Sequence, residues 1–183
     1  MNINKKYNVL LVFVFSVIFT IYWAYNRDTS IDYVAMADKI TANVAEKLTK
    51  RYHMQVIGIS GGMADSVNIV GLDFQIRGPL SKERLREMLV DSVEEFLTSI
   101  NADEEIRPFL KNYPFTEKEI DIAIFIVDES GIHVYDPDPA VAAATHGKVW
   151  YLTKDRNKEF GYKQEIEENY QTALQIVRES KNN

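Results

Sequence analysis

The run Ile120-Asp121-Ile122-Ala123-Ile124-Phe125-Ile126-Val127 constrains this chain's fold more than any other stretch. As a strand it places Ile120, Ile122, Ile124 and Ile126 on one face and Ala123, Phe125 and Val127 on the other. A strand apolar on both faces belongs in the middle of a sheet, so the chain must supply strands to flank it.

Residues 68–77 alternate cleanly, with Val70, Leu72, Phe74 and Ile76 on one face and Gly71, Asp73, Gln75 and Arg77 on the other. Residues 54–59 read as a short apolar strand. Asp128-Glu129-Ser130-Gly131 is a hairpin turn in which glycine supplies a positive φ, and residues 132–135 pair back after it. Asp136-Pro137-Asp138-Pro139 stops that strand, because proline cannot donate to a ladder. Residues 140–147 then form a connection of small side chains, and residues 149–153 a last strand.

Three helices are expected. Residues 32–52 carry Val34, Ala37, Ile40, Val44 and Leu48 at helical spacing. Ser81 is a natural N-cap for a stripe of Leu85, Met88, Leu89, Val93, Phe96, Leu97 and Ile100. Residues 162–179 place Ile166, Tyr170, Ala173 and Val177 inward. The order is α-β-β-α-β-β-β-α. Strands joined by short turns imply antiparallel pairing, so the fold class is α+β: a two-layer domain with an antiparallel sheet of about five strands packed with three helices.

Ahead of this domain, residues 9–25 contain no charge, and none occurs between Lys6 and Arg27. Such a run spans about 26 Å as a helix, close to the hydrocarbon thickness of a bilayer. Tyr22, Trp23 and Tyr25 sit at its far end, where amphipathic rings suit the headgroup layer. A cleaved signal peptide is the rival reading. It needs small residues at −1 and −3, but cleavage after Ala24 would put Tyr22 at −3. The division expected is an anchor and linker over residues 1–30 and a domain over residues 31–183. Lys5 and Lys6 keep the N-terminus cytoplasmic and send the domain to the extracytoplasmic side, which is the periplasm if the cell is Gram-negative.

Of the chain's 21 basic and 27 acidic residues, only Lys5, Lys6, Arg27 and Asp28 precede residue 31, which leaves residues 31–183 with a net charge of about −8. That excess repels phosphate backbones and excludes nucleic acid as an expected partner. The chain has no cysteine, so disulfides, thiol nucleophiles and thiolate metal sites are excluded.

Two stretches raise the question of chemistry. Gly58-Ile59-Ser60-Gly61-Gly62 fits the G-x-S-x-G nucleophile elbow, and Ser60-Gly61-Gly62 with Asp65-Ser66 nearly spells the pyrophosphate loop SGG-x-DS. Both devices need a strand followed by a helix, whereas period-two residues follow Ser66; the expected structure is a hairpin loop in which the glycines let the chain reverse. The second stretch, residues 132–151, holds His133, Tyr135, Asp136, Asp138, His146 and Trp150, weak candidates for a ligand groove. No metal-site spacing appears among them. The acidic residues Glu83, Glu87, Asp91, Glu94 and Glu95, and likewise Glu165, Glu167 and Glu168, read as solvated helix faces, and His53 as a complement to a helix dipole.

The functional expectation is a membrane-anchored extracytoplasmic binding or scaffolding domain, non-enzymatic, with no cofactor, the membrane as one partner through residues 9–25, and a protein as another. The alternatives are a small hydrolase using Ser60 with His146 and Asp136 or Asp138, and a sensor of a small ligand or cation near Asp136 and Asp138.

Overall fold

A computed structural model describes residues 32–158 and 161–182. The expected anchor, residues 9–25, lies outside the described residues; among those described, no helix is long and apolar enough to cross a membrane.

The elements run α1 (Tyr33–Tyr52), β1 (Gln55–Met63), β2 (Val67–Arg77), α2 (Lys82–Ala102), β3 (Ile120–Val127), β4 (Pro139–Thr145), β5 (Lys148–Thr153), β6 (Gln164–Asn169) and α3 (Tyr170–Lys181). Among the described residues the fold is α+β, with three α-helices and one six-stranded mixed sheet in the order β1-β2-β3-β4-β5-β6.

The first two helices form as their periodicity demands. α1 buries Ala37, Ile40, Val44 and Leu48. His53 ends it in a left-handed conformation (φ 56°), with its backbone N–H donating to the Thr49 carbonyl at 2.9 Å. His53 is thus a backbone stop of the kind usually built with glycine or asparagine. The Ser81 hydroxyl caps α2 by accepting from the Arg84 backbone N–H at 3.2 Å. α2 buries more than a single stripe, adding Arg86, Val90 and Ser92, because α1 and α3 flank it on either side.

Four expectations are corrected. First, β2 and β3 are parallel, in register from Val70 opposite Ile120 to Arg77 opposite Val127. Residues 78–119 form no tight turn; they carry the chain back along α2 to the end of the sheet where β2 began.

Second, residues 132–135 are not a strand. After the turn at residues 128–131, with Gly131 at φ 81°, they do pair back on β3, through the Val127–His133 bridge and the hydrogen bonds from Asp128 N–H to the Ile132 carbonyl at 2.7 Å and from Val134 N–H to the Ile126 carbonyl at 3.3 Å, but too briefly to form a strand.

Third, the small-residue connection is the strand β4. Alanine favours helix in isolation, but here Ala140, Ala142 and Ala144 are buried on the helix side beside β3. Their small side chains fit where α2 packs over the sheet. His146 (φ 50°) and Gly147 (φ 75°) then close a two-residue hairpin into β5, the turn whose twist matches paired strands.

Fourth, residues 164–169 are the edge strand β6 rather than the start of a helix, and α3 begins at Tyr170 with Asn169 as its cap, accepting from Gln171 N–H at 2.8 Å.

All three helices contribute to one core on one face of the sheet. That face supplies Leu72 and Phe74 from β2, the four isoleucines of β3, the three alanines of β4, and Val149 and Tyr151 from β5. Glu83 stays exposed and Glu87 pairs with Arg84 of its own helix, but Asp91, Glu94 and Glu95 of α2 are not a solvated face. Lys47 and Arg51 of α1 both pair with Glu95, at 2.7 and 2.8 Å. The Tyr52 hydroxyl donates to Asp91 at 2.6 Å, and Lys181 of α3 reaches the other Asp91 oxygen at 2.8 Å. Tyr170 donates to Glu94 at 3.1 Å. These ties strap α1 and α3 to the central helix.

Candidate functional site

Ser60 lies inside β1, opposite Gly71 of β2, with further strand on both sides of it. The chain reverses only at residues 64–66, so Gly58, Gly61 and Gly62 are strand residues, and none of them has a positive φ. The hairpin of the sequence reading is present, but the glycines do not make its turn. Gly58 leaves room for Asp73, whose carboxylate oxygen would lie 2.8 Å from an added Cβ. A Cβ on Gly71 would lie 2.4 Å from both the Asp121 carbonyl and the Ser60 hydroxyl.

No helix follows Ser60 to aim N–H groups at an oxyanion. His146, the histidine considered as its base, sits at the β4–β5 turn, three strands away from β1. Three spacings of the ladder are about 14 Å, beyond any hydrogen bond.

The six residues singled out between positions 132 and 151 do not form one site. His133, Tyr135, Asp136 and Asp138 lie at the end of the sheet where β3 finishes and β4 begins; His146 lies at the opposite end of β4. Asp136 pairs with Lys163 at 2.6 Å, and its backbone N–H donates to the Lys154 carbonyl at 2.9 Å. Asp138 N–H donates to the Tyr135 carbonyl at 3.1 Å, and Arg156 stacks over the Tyr135 ring at 5.1 Å. The Asp-Pro-Asp-Pro segment is therefore a tied-down turn. Burial, with Lys154 adding to it, pushes the His133 imidazole below its ordinary pKa, and its Nδ1 is buried without a partner. His146 Nδ1 lies 2.7 Å from the Thr145 hydroxyl.

Trp150 belongs to a different surface, the face of the sheet that none of the described helices covers. The register aligns its residues in rows across the strands. One row runs Gly58, Asp73, Ala123, Ala143, Trp150, Glu167; another runs Gln75, Phe125, Val141, Leu152, Glu165. The centre of the face is apolar: Ala123, Phe125, Val141, Ala143, Trp150 and Leu152. All but Val141, which is buried, are half-buried, sheltering one another with no described helix above them.

Acidic groups stand at both sides of that centre. Asp73 on β2 and Asp121 on β3 lie diagonally across neighbouring strands, and Glu165 and Glu167 stand on β6. Burial, and secondarily the nearby Asp121 charge, raises the pKa of Asp73. Lys148, the basic residue beside Trp150, is held by Glu167 at 2.8 Å and lies 5.7 Å from the Trp150 ring centroid. Among the described residues no three His, Asp or Glu side chains converge as a metal site would require.

The sequence already marked part of this face, through Ala123 and Phe125 of the doubly apolar strand and through Trp150. It missed Val141, Ala143 and Leu152, since the alanine-rich β4 shows no period, and it missed Asp73 and Asp121, which read as ordinary polar positions of a strand. Two clefts open elsewhere. One of about 450 Å³ includes Tyr52, Gln55, Gln75 and Arg77, with Arg77 held by Glu129 at 2.8 Å. The other, of about 410 Å³, lies between α1 and α2 and includes Lys47, Lys50 and Asp103. Neither is lined by Ser60, by the six residues singled out between positions 132 and 151, or by the apolar residues around Trp150. No known family, curated protein or solved structure matches this chain, so the geometry alone carries the functional reading.

Proposed function

We propose that the chain is a non-catalytic binding or scaffolding module, tethered to a membrane by residues 9–25 with its folded domain on the extracytoplasmic side, and that it works through the helix-free face of the sheet. The observation that carries this reading is the apolar centre of that face, Phe125, Trp150 and Leu152, part-exposed around the buried Val141, turned away from the three described helices and flanked by Asp73, Asp121, Glu165 and Glu167. Contiguous exposed apolar surface with a polar rim is the mark of a protein-binding site, and tryptophan is enriched at the centre of such sites. An acidic rim selects a partner whose own apolar patch is bordered by lysine or arginine. The same charge disfavours nucleic acid and anionic lipid headgroups as occupants.

Site-specific photo-crosslinking of the full-length chain in its native membrane tests the reading. A photoreactive residue at Leu152 is expected to give one discrete adduct with another protein, lost on Phe125→Asp, while the same probe at the exposed Lys39 of α1 gives none. No adduct from position 152, or equal adducts from both positions, overturns it.

A further inference from the structure

The two edges of the sheet differ in a way the helix-free face does not explain. β6, one edge, has three glutamates among its six residues, Glu165, Glu167 and Glu168. Charge of this kind is how natural sheets prevent edge-to-edge pairing. β1, the other edge, has no such guard. No Asp, Glu, Lys or Arg occurs between Arg51 and Asp65. Ile57 and Ile59 stand 48% and 63% exposed along it. The outer side of residues 55–63 makes no backbone hydrogen bond to any described element, because β1 pairs only with β2. The register shifts at Val56/Gly58 and again at Gly62/Met63, leaving residues 58–62 as a regular stretch of edge that no described strand but β2 pairs with.

We infer that this edge pairs with the same edge of a second copy of the chain, β1 against β1 in antiparallel register about a two-fold axis, joining two sheets into one. The occupant follows from charge. The chain is acidic overall, at −6, so most of its surfaces repel their own copies. β1 is the edge along which two copies meet with no like charges opposed. An antiparallel pairing of identical strands satisfies both rows of backbone groups and closes the assembly as a dimer. A foreign strand is selected by side-chain pockets flanking the edge. Three of the residues in the window are Gly58, Gly61 and Gly62, which build no pockets. Gly62 has only the Asn68 side chain near an added Cβ, at 3.8 Å, so the chain's own packing does not require a glycine there. Glycine on a free edge suits the close approach of another backbone. This pairing uses the backbone edge of β1, at the margin of the helix-free face and away from its apolar centre, and stands or falls independently of what that centre binds.

The absence of cysteine makes the test clean. Ser60→Cys in the full-length chain, in its native membrane, is treated with a short bifunctional thiol cross-linker. A product of twice the chain mass is expected, and none from Glu165→Cys on the opposite edge. Adding Ile59→Lys to Ser60→Cys opposes like charges at the axis and is expected to cut the product about tenfold without lowering the melting temperature. If Ile59→Lys lowers the melting temperature, Ile57→Lys serves in its place. No product from Ser60→Cys, equal product from Glu165→Cys, or an adduct of any other mass overturns the inference. So does a yield that neither lysine variant changes.

Discussion

The two faces of this sheet are made from alternate residues of the same strands, yet they carry different loads. On the helix side Ile120, Ile122, Ile124 and Ile126 of β3 are buried under α2 and its neighbours. On the other side Ala123 and Phe125, one residue away along the chain, are only half-buried. Burial beneath a second layer removes nearly all of a side chain's surface from water; mutual shelter on an open face removes part of it. Stability is thus concentrated on one face, which leaves residues on the other able to vary with what they contact.

The sharpest way to break this comparison is to truncate adjacent residues of β3. Ile124→Ala leaves a cavity under α2 and is expected to cost about 2–5 kcal/mol. Phe125→Ala removes a larger side chain but leaves no enclosed cavity, and is expected to cost about 1 kcal/mol. Chemical denaturation of the full-length chain in detergent, followed by far-ultraviolet circular dichroism, reads both. Equal losses would mean that something covers the second face.

A smaller effect belongs to the polar tie that fastens β6 to the helix layer. Arg86 of α2, only 8% exposed, grips Glu168 through Nε and Nη2 at 2.8 and 3.0 Å, and the Tyr151 hydroxyl donates to the same carboxylate at 2.6 Å. Burial opposes the charge on Glu168, but the bonds from Arg86 and Tyr151 outweigh it and hold its carboxyl below the ordinary carboxylate range. Glu168→Gln is expected to cost about 2 kcal/mol near neutral pH, since it weakens hydrogen bonds to a charged, largely buried arginine. A carboxylate with a depressed folded pKa adds stability that is present above the unfolded value near 4.5 and is lost as pH falls through the folded value. The gap between wild type and variant should therefore narrow below about pH 4.5. Melting temperatures measured from pH 7 down to pH 3 check this, and a gap independent of pH refutes it.

Glu168 also shows where the sequence ceases to be legible. The helices α1 and α2, the strands β2 and β3 and the turn at Gly131 all announce themselves through period or through the residue a backbone angle demands. β6 does not: Gln164-Glu165-Ile166-Glu167-Glu168-Asn169 has a single apolar residue and resembles an exposed helix. It is a strand because β5 supplies its ladder and Arg86 supplies a partner from a distant helix, and neither is visible locally. β4 is hidden for the opposite reason, since its alanines are alike on both faces. The parallel pairing of β2 with β3 depends on where α2 delivers the chain. Of the candidate site residues, the histidines and aspartates drew notice by their chemistry. The register then scattered them, and it gathered alanine, valine and leucine around Trp150 instead.

The smallest expected effect falls on the residue that looks most catalytic. Ser60 shares its row with Gly71 and Asp121, on the same side of the sheet as Trp150. Its hydroxyl sits over the space that Gly71 leaves open. A nucleophile is activated by a base within hydrogen-bond reach and by N–H donors aimed at the developing oxyanion. Strands occupy both directions from Ser60, so no helix start supplies the donors, and His146 is held at a hairpin turn beyond β2 and β3. Ser60→Ala should change stability by no more than about 0.5 kcal/mol, because a hydroxyl without a firm partner contributes little. It should likewise leave partner cross-linking from position 152 unchanged, as Ser60 lies at the margin of that face and not among its apolar residues. A fluorophosphonate probe should label neither the wild type nor Ser60→Ala. Labelling of the wild type that disappears in Ser60→Ala would show an activated serine on the helix-free face and would replace the binding module with a hydrolase.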